Sequence, residues 1–329
     1  MNRLLAVALI LTLSQWDLSF AKDNGDQRGA DLLAKAGSLQ NIREQGSQPF
    51  QLRLRVHSEH IVSKPIDGSF AEVWMTPDKW RREIGFPGFT QLEVGDVGSK
   101  WLSRNMDFRP RPVYLTAIAI DAFIQPSRSQ EEVVKSFKNR KVAGSEAQCI
   151  EVVGKNERRV RELCFDSSGL LIRESFGTQR FEYSSFSKFG TKSFPKSIRV
   201  YESDRRVLDI QADELTSPGD PRPELFEHRG SSRRMAGCEI WPAEAVKKVV
   251  PQYPSAARAA HQQGTVALYT LLSEQGTVEK NTVVQTAGVS LDQSAMDAVK
   301  QWQYPLPTCG GSPLPTEIEV EVNYELRTE

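Results

Sequence analysis

The residues able to carry redox, metal or nucleophilic chemistry in this chain are few and scattered. Its four cysteines are Cys149, Cys164, Cys238 and Cys309, and its four histidines are His57, His60, His228 and His261. No cysteine pair has C-x-x-C spacing, so zinc ligation is not supported, and no metal or cofactor is expected. There is no G-x-S-x-G, no H-E-x-x-H and no phosphate-binding loop, and carboxylates such as Asp166 and Asp204 have no distinguishing context. The residue types therefore point away from an enzyme. Disulfide chemistry is what remains. Residues 147–153 and 160–166 read as strands around the polar stretch 154–159. A hairpin centred on Asn156 and Glu157 sets Cys149 opposite Cys164, at the separation a disulfide needs. By elimination Cys238 pairs with Cys309. Free buried thiols are the alternative, and an oxidising compartment favours the bridges.

Export supplies that compartment. Arg3 precedes an apolar run from Leu4 to Leu13, and Ser19-Phe20-Ala21 ends the segment in small-x-small form. Residues 1–21 are expected to be a secretory signal cleaved before Lys22. A membrane anchor is the rival reading. Ten apolar residues span only about 15 Å of a hydrocarbon core of about 30 Å, and Asp17 interrupts any extension. The expected location is the periplasm.

The 329 residues are 39% hydrophobic and 26% charged, which excludes a disordered or collagenous chain and allows two cores. Net charge is zero, from 42 basic and 42 acidic side chains, so no polyanion partner such as nucleic acid is indicated. The balance is uneven along the chain. Residues 1–237 carry 36 basic and 31 acidic groups, whereas residues 238–329 carry 6 and 11. Opposite signs mark two modules.

The elements of the first module begin with a helix over residues 28–42, where Leu32, Leu33, Ala36 and Leu39 share a face. The period then falls to two. Strands are expected near residues 52–57, 69–75, 79–86, 89–94, 100–103, 170–175, 178–185, 197–202 and 207–215, separated by turn signals. Residues 112–123 form a short apolar helix and residues 131–137 a turn or helix. A long meander must curl and be covered by helices, giving a curved antiparallel sheet over residues 28–216. In this layout it resembles the LolA/LolB-like lipoprotein-carrier half-barrels. The resemblance implies a cavity for an acyl chain, with Trp74, Trp80, Phe86, Phe89, Trp101 and Tyr114 as candidate lining residues. The alternative is that these aromatics fill the core.

Residues 217–242, rich in Pro, Gly, Ser and Arg, read as a linker or strap rather than a regular element. Beyond them lies a small α+β unit, residues 243–329. Pro251, Tyr253 and Pro254 make an extended entry, Ser255 caps a short helix to His261, and Gly264 opens a strand with Val266, Leu268, Thr270 and Leu272 alternating. Gly276 turns that strand into a hairpin with residues 278–285. A helix capped by Ser290 carries Leu291, Ala295, Ala298, Val299 and Trp302, and the final strand alternates Ile318, Val320, Val322 and Tyr324 with Glu317, Glu319, Glu321 and Asn323.

The residues Pro251, Tyr253, Pro254, Gly264, Gly276, Leu291, Asp292, Trp302 and Tyr304, in this order within the roughly eighty-residue stretch from Ala245 to Leu326, resemble the C-terminal domain of the TonB energy transducers. The resemblance implies a periplasmic module that contacts an extended segment of an outer-membrane transporter by adding a strand to its sheet. The implied binding strand is Glu317, Ile318, Glu319, Val320, Glu321, Val322, Asn323 and Tyr324, with the glutamates keeping its outer face charged. A proline-rich periplasmic span is missing, so motor-driven force transmission is not expected. The overall expectation is an exported, non-enzymatic interaction protein that binds an outer-membrane or secreted partner. Its alternative is a lipid or lipoprotein carrier.

Overall fold

The computed structural model describes residues 14–59, 64–126, 132–154, 160–237, 245–305, 308–309 and 312–326. Helix α1 (Ser14–Gln40) precedes a five-strand meander of β1 (Phe50–Ser58), β2 (Ile66–Thr76), β3 (Lys79–Phe86), β4 (Phe89–Asp96) and β5 (Ser99–Arg104). After helix α2 (Arg111–Ile124) come β6 (Glu132–Val142), β7 (Ser145–Gly154), β8 (Val160–Phe165) and β9 (Leu171–Phe176). The run continues with β10 (Gln179–Phe189), β11 (Lys192–Glu202) and β12 (Arg205–Thr216). A 3-10 turn at Pro223–Phe226 leads to β13 (Arg233–Ala236). These thirteen strands form one antiparallel sheet in the order β13-β5-β4-β3-β2-β1-β12-β11-β10-β9-β8-β7-β6.

Helix α2 shows how the sheet is shaped. Thirteen of its fourteen residues are buried, all but Asp121, because its sequence is apolar nearly all round. A helix of this kind must be enclosed on most sides. Its Leu115, Ile118 and Phe123 share one core with Phe50 and Leu52 of β1, Trp74 of β2, Phe89 of β4, Ile150 of β7 and Ile210 of β12. Strands this far apart in the order reach one helix only if the sheet curls around it. The half-barrel is thus real, and α2 occupies its concave side.

Three expectations need correction. The turn or helix expected over residues 131–137 is instead a strand from Glu132 onward, the start of β6. A bulge between Val134 and Ser136 breaks the period of two, and Val134 and Phe137, three apart, both pack on the core, which mimics helical spacing. Part of the proposed linker is a regular element, since β13 pairs with β5 and completes the sheet. The helical caps also differ. Ser255 is the first residue of its helix, after Pro254, and Ser290 lies inside a helix that starts after Gly288, whose φ of +112° suits only glycine.

The C-terminal unit comprises α3 (Ser255–Ala259), β14 (Gly264–Leu272), β15 (Val278–Gln285), α4 (Val289–Val299), the short pair β16 (Thr308–Cys309) and β17 (Ser312–Pro313), and β18 (Thr316–Tyr324). Its main sheet has the order β15-β14-β18. Val266, Leu268 and Leu272 of β14 and Ile318, Val320 and Val322 of β18 pack against Leu291, Ala295 and Val299 of α4 in a core of their own.

Candidate partner-binding strand

Strand β18 pairs with β14 along its full length, from Gly264 opposite Tyr324 to Leu272 opposite Thr316. Among the described residues no strand lies on its other side, so one edge of β18 is open. The period of two sends Ile318, Val320, Val322 and Tyr324 into the C-terminal core. Glu317, Glu319 and Glu321 face the other way.

From Glu317 to Glu321 that other face is largely closed off from water. The sequence expectation that these glutamates keep an outer face charged is overturned, because they pack into the mouth of the half-barrel. Arg104, the last residue of β5, places Nη2 2.6 and 2.5 Å from the two carboxylate oxygens of Glu317, and the Tyr269 hydroxyl of β14 donates to the same carboxylate at 2.6 Å. Arg111, the first residue of α2, is only 1% exposed and pairs with Glu319, with Glu321 and with Glu202 at the end of β11. Glu321 also accepts from Gln179 Nε2 at 2.9 Å and from Thr178 Oγ1 at 3.3 Å. Around this centre Leu102, Met235, Tyr269 and Leu271 form a small apolar cluster joined by Phe108 and Val284. Arg233–Glu279 and Lys280–Asp107 close the rim.

The placement follows from the strand registers. Glu93 of β4 lies opposite Leu102, and Lys100 opposite Met235, so Leu102, Arg104 and Met235 share the concave face with Glu93. Gln179 and Glu202 face each other at the other wall. β5 and β11 are six strand spacings apart in the sheet, about 29 Å if it were flat. Glu317 and Glu321, which reach one wall each, are about 13 Å apart along one strand. The C-terminal sheet therefore bridges the curled walls at the α2 end. Helix α2 has no acidic residue in its first turn and starts with a cation, an unfavourable charge for a helix N-terminus. The glutamates of β18 supply the missing negative charge.

Burial works to raise the Glu317 carboxyl, but the Arg104 and Arg109 charges and the Tyr269 hydrogen bond hold it below its ordinary value. Glu321 behaves alike: burial raises it, and Arg111 with the Gln179 and Thr178 donors overcomes that. Glu202 goes the other way, since burial, helped by the Glu321 charge, outweighs the pull of Arg111. For Tyr269, burial and the neighbouring Glu317 carboxylate push the phenol well up, so it stays a donor. A second ionic strip runs deeper along the concave face. Glu72, Arg82 and Glu93 alternate in sign across β2, β3 and β4, and Lys100 Nζ lies 3.1 Å from Glu93. Against the burial penalty, Lys100 and Arg82 draw Glu93 down to about 2. Arg109 lowers both Glu93 and Glu317, which ties this strip to the mouth.

The other sequence-predicted residues fall as follows. Cys149 and Cys164 are cross-strand partners and form a disulfide. Among the described residues these two and Glu162 are the one group with ligand-type atoms gathered within 4.8 Å, and the disulfide consumes both sulfurs. The pairing of Cys238 with Cys309 lies outside the described residues. Trp74, Phe86, Phe89 and Tyr114 are in the main core with Trp80 packed against it, while Trp101 stacks apart from them on His228 at 3.9 Å. The motif residues hold the C-terminal unit together. Trp302 Nε1 donates to the Val249 carbonyl at 2.8 Å, and the Tyr304 amide to Gly276 at 2.9 Å. Tyr253 donates to the Gln262 carbonyl, and Asp292 accepts from the Ala287 amide and the Thr286 hydroxyl just before α4. Leu291 is fully buried. Arg104, Arg109, Arg111, Glu202 and Tyr269 were not legible as site residues. One signal did exist: residues 266–272 are apolar with one threonine rather than alternating, the mark of a strand covered on both faces.

Comparison with known proteins places the second unit in a family. Residues 249–326 match the C-terminal domain of the Gram-negative bacterial TonB protein. Protein TonB of Vibrio cholerae serotype O1 is 34% identical over 86 residues, covering 26% of this chain and 35% of that protein. The chain thus spans about a third of the length of the curated relative it matches. Solved structures align with about three fifths of this chain, each at a TM-score below 0.5. A putative outer-membrane lipoprotein-sorting protein domain from Vibrio parahaemolyticus gives a TM-score of 0.41 at 11% identity, over 62% of this chain and 97% of that one. A LolA-superfamily protein from Nitrosomonas europaea gives 0.40 at 10% identity, over 60% and 97%. A DUF1329 family protein from Desulfovibrio piger gives 0.45 at 13% identity, over 62% and 98%. The chain carries a TonB C-terminal domain behind a thirteen-stranded half-barrel.

Proposed function

We propose that this chain is a non-enzymatic cell-envelope protein, exported to the periplasm, that captures an extended segment of an outer-membrane or secreted partner along β18. The observation that carries this reading is the open edge of β18: β14 lies on one side, and no described strand on the other. An added strand gains main-chain hydrogen bonds there and presents alternate side chains to the two faces. The apolar face of β18 is committed to the C-terminal core and its acidic face to the half-barrel, so the edge is what remains to offer. No helix among the described residues is long and apolar enough to cross a membrane.

The test is a titration of the isotope-labelled protein with synthetic peptides copying the extended N-terminal segments of outer-membrane transporters from the same bacterium. Amide shifts concentrated in residues 316–324, with slowed hydrogen exchange there, support the reading. Shifts confined to the half-barrel or to α4 count against it. Carriage of a lipid or lipoprotein chain is the weaker reading, because α2 fills the concave side and β2 to β4 line part of it with paired charges. Native mass spectrometry of the protein purified without detergent separates the two, since a carrier retains an acyl-bearing adduct.

A further inference from the structure

We propose that the contact between the C-terminal sheet and the half-barrel is a separable latch, closed here by arginine–glutamate pairs, whose release bares an acidic strand face and a basic mouth. It does not rest on strand capture, since the open edge of β18 is the same in either state.

The two units have separate cores. The residues that bury α2 in the half-barrel and those that bury α4 on the small sheet do not overlap. Among the described residues the apolar cluster that spans them is small: Leu102, Met235, Tyr269 and Leu271, with Phe108 and Val284 at its margin. Undocking therefore exposes little apolar surface, and neither core is opened. The other side-chain contacts described are ionic or polar: Glu317 on Arg104, Glu319 and Glu321 on Arg111, Glu279 on Arg233, Asp107 on Lys280, with Gln179 and Thr178 donating to Glu321. One backbone hydrogen bond, from the Ala236 amide to the Pro315 carbonyl at 2.9 Å, crosses beside them.

Such a contact differs from a core in what it gains by opening. Charges closed away from water forfeit several kcal/mol of hydration each, and they recover it on separation. The closed and open states are thus nearer in free energy than for an apolar contact of the same extent. The latch also closes as a unit. Arg111 serves three carboxylates from two units, so partial opening strands a buried charge, and intermediate positions are disfavoured. The released surfaces are complementary in sign: Glu317, Glu319 and Glu321 on one side, Arg104, Arg109 and Arg111 on the other.

The experiment measures the distance between nitroxide labels at two exposed positions, Asp78→Cys on the half-barrel and Gln301→Cys on the C-terminal unit, by pulsed electron resonance on the full chain. The labelled parent is expected to show one narrow distance. Combining Glu317→Gln, Glu319→Gln and Glu321→Gln, all off the C-terminal core, is expected to add a second, longer distance. The separated fraction should rise about tenfold or more, the change produced by roughly 1.4 kcal/mol. Arg104→Gln, made on the other side of the contact, should add the same second distance, and it decides the question where the triple variant does not fold. A single unchanged narrow distance in these variants overturns the proposal, as does a broad distribution in the parent.

Discussion

Arg104 grips Glu317 with one nitrogen, its Nη2 lying 2.6 and 2.5 Å from the two carboxylate oxygens, and neither side chain is as much as a tenth exposed. This pair joins β5 of the first module to the last strand of the second.

Removing one member should be costly for that reason. Arg104→Ala takes the guanidinium from Glu317 and is expected to lose up to about 3 kcal/mol in urea denaturation, less in so far as the contact opens and the carboxylate regains water. Glu317→Ala should lose a similar amount. The double variant should lose less than the two together, with a coupling of about 1–3 kcal/mol. Strict additivity would mean that the pair contributes nothing specific.

The direction of the carboxylate shifts sets an acid limit. Glu93, drawn down from 4.5 to about 2 against its burial, and the lowered Glu317 and Glu321 bind protons less readily in the folded chain than in the unfolded one. Their contribution is present above the ordinary carboxylate value and drains away as pH falls through the folded value. Glu202, raised by burial, opposes them. Urea midpoints stepped from about pH 6 to about pH 3 should fall, and Glu93→Gln, starting lower, should fall less steeply. Parallel curves would remove Glu93 from this account.

The bridge between Cys149 and Cys164 closes a loop of sequence separation 15. Replacing both with serine should cost about 3 kcal/mol, by freeing the unfolded chain. Denaturation of the oxidised parent and the serine variant checks it, with the reduced parent as a second reference. Equal midpoints for parent and variant would contradict the expectation.

Gly276 combines a φ of +73° with a backbone neighbour, the Tyr304 carbonyl oxygen, 2.2 Å from where a Cβ would sit. Gly276→Ala must therefore shift the β14–β15 turn or the Tyr304 backbone, and a loss of at least about 1 kcal/mol in thermal unfolding is expected. Gly144→Ala, also at positive φ but with no atom near the added carbon, should cost less. The reverse order would show that the close approach is relieved without strain.

Local patterns carried much of this fold into view. The alternation in residues 52–57 and 318–324 marked half-buried strands, and the placing of Cys149 and Cys164 about a polar turn marked their pairing. The apolar run of residues 112–123 marked a short helix, which the structure shows as α2. What escaped is what depends on distant parts meeting. Glu317, Glu319 and Glu321 look like a solvated stripe because alternating charge on a terminal strand is ordinarily just that. Only the curl of the sheet brings Arg104 and Arg111 under them. Residues 132–142 were obscured by a bulge that shifts Val134 and Phe137 out of strict alternation. The short strand β13 was hidden among turn-forming residues, because its place in the sheet is granted by β5 rather than by its own composition.

The buried glutamates also alter how this chain can vary through descent. In a free-standing domain a glutamate on a solvated strand face drifts at little cost. Here Glu317 answers to Arg104, and Glu319 and Glu321 to Arg111, across more than two hundred residues of sequence. A change at one of these positions invites a compensating change in the other module, so the two halves are bound to be inherited as one unit. A recombination event that exchanges the C-terminal domain alone delivers acidic positions to arginines that were never matched to them.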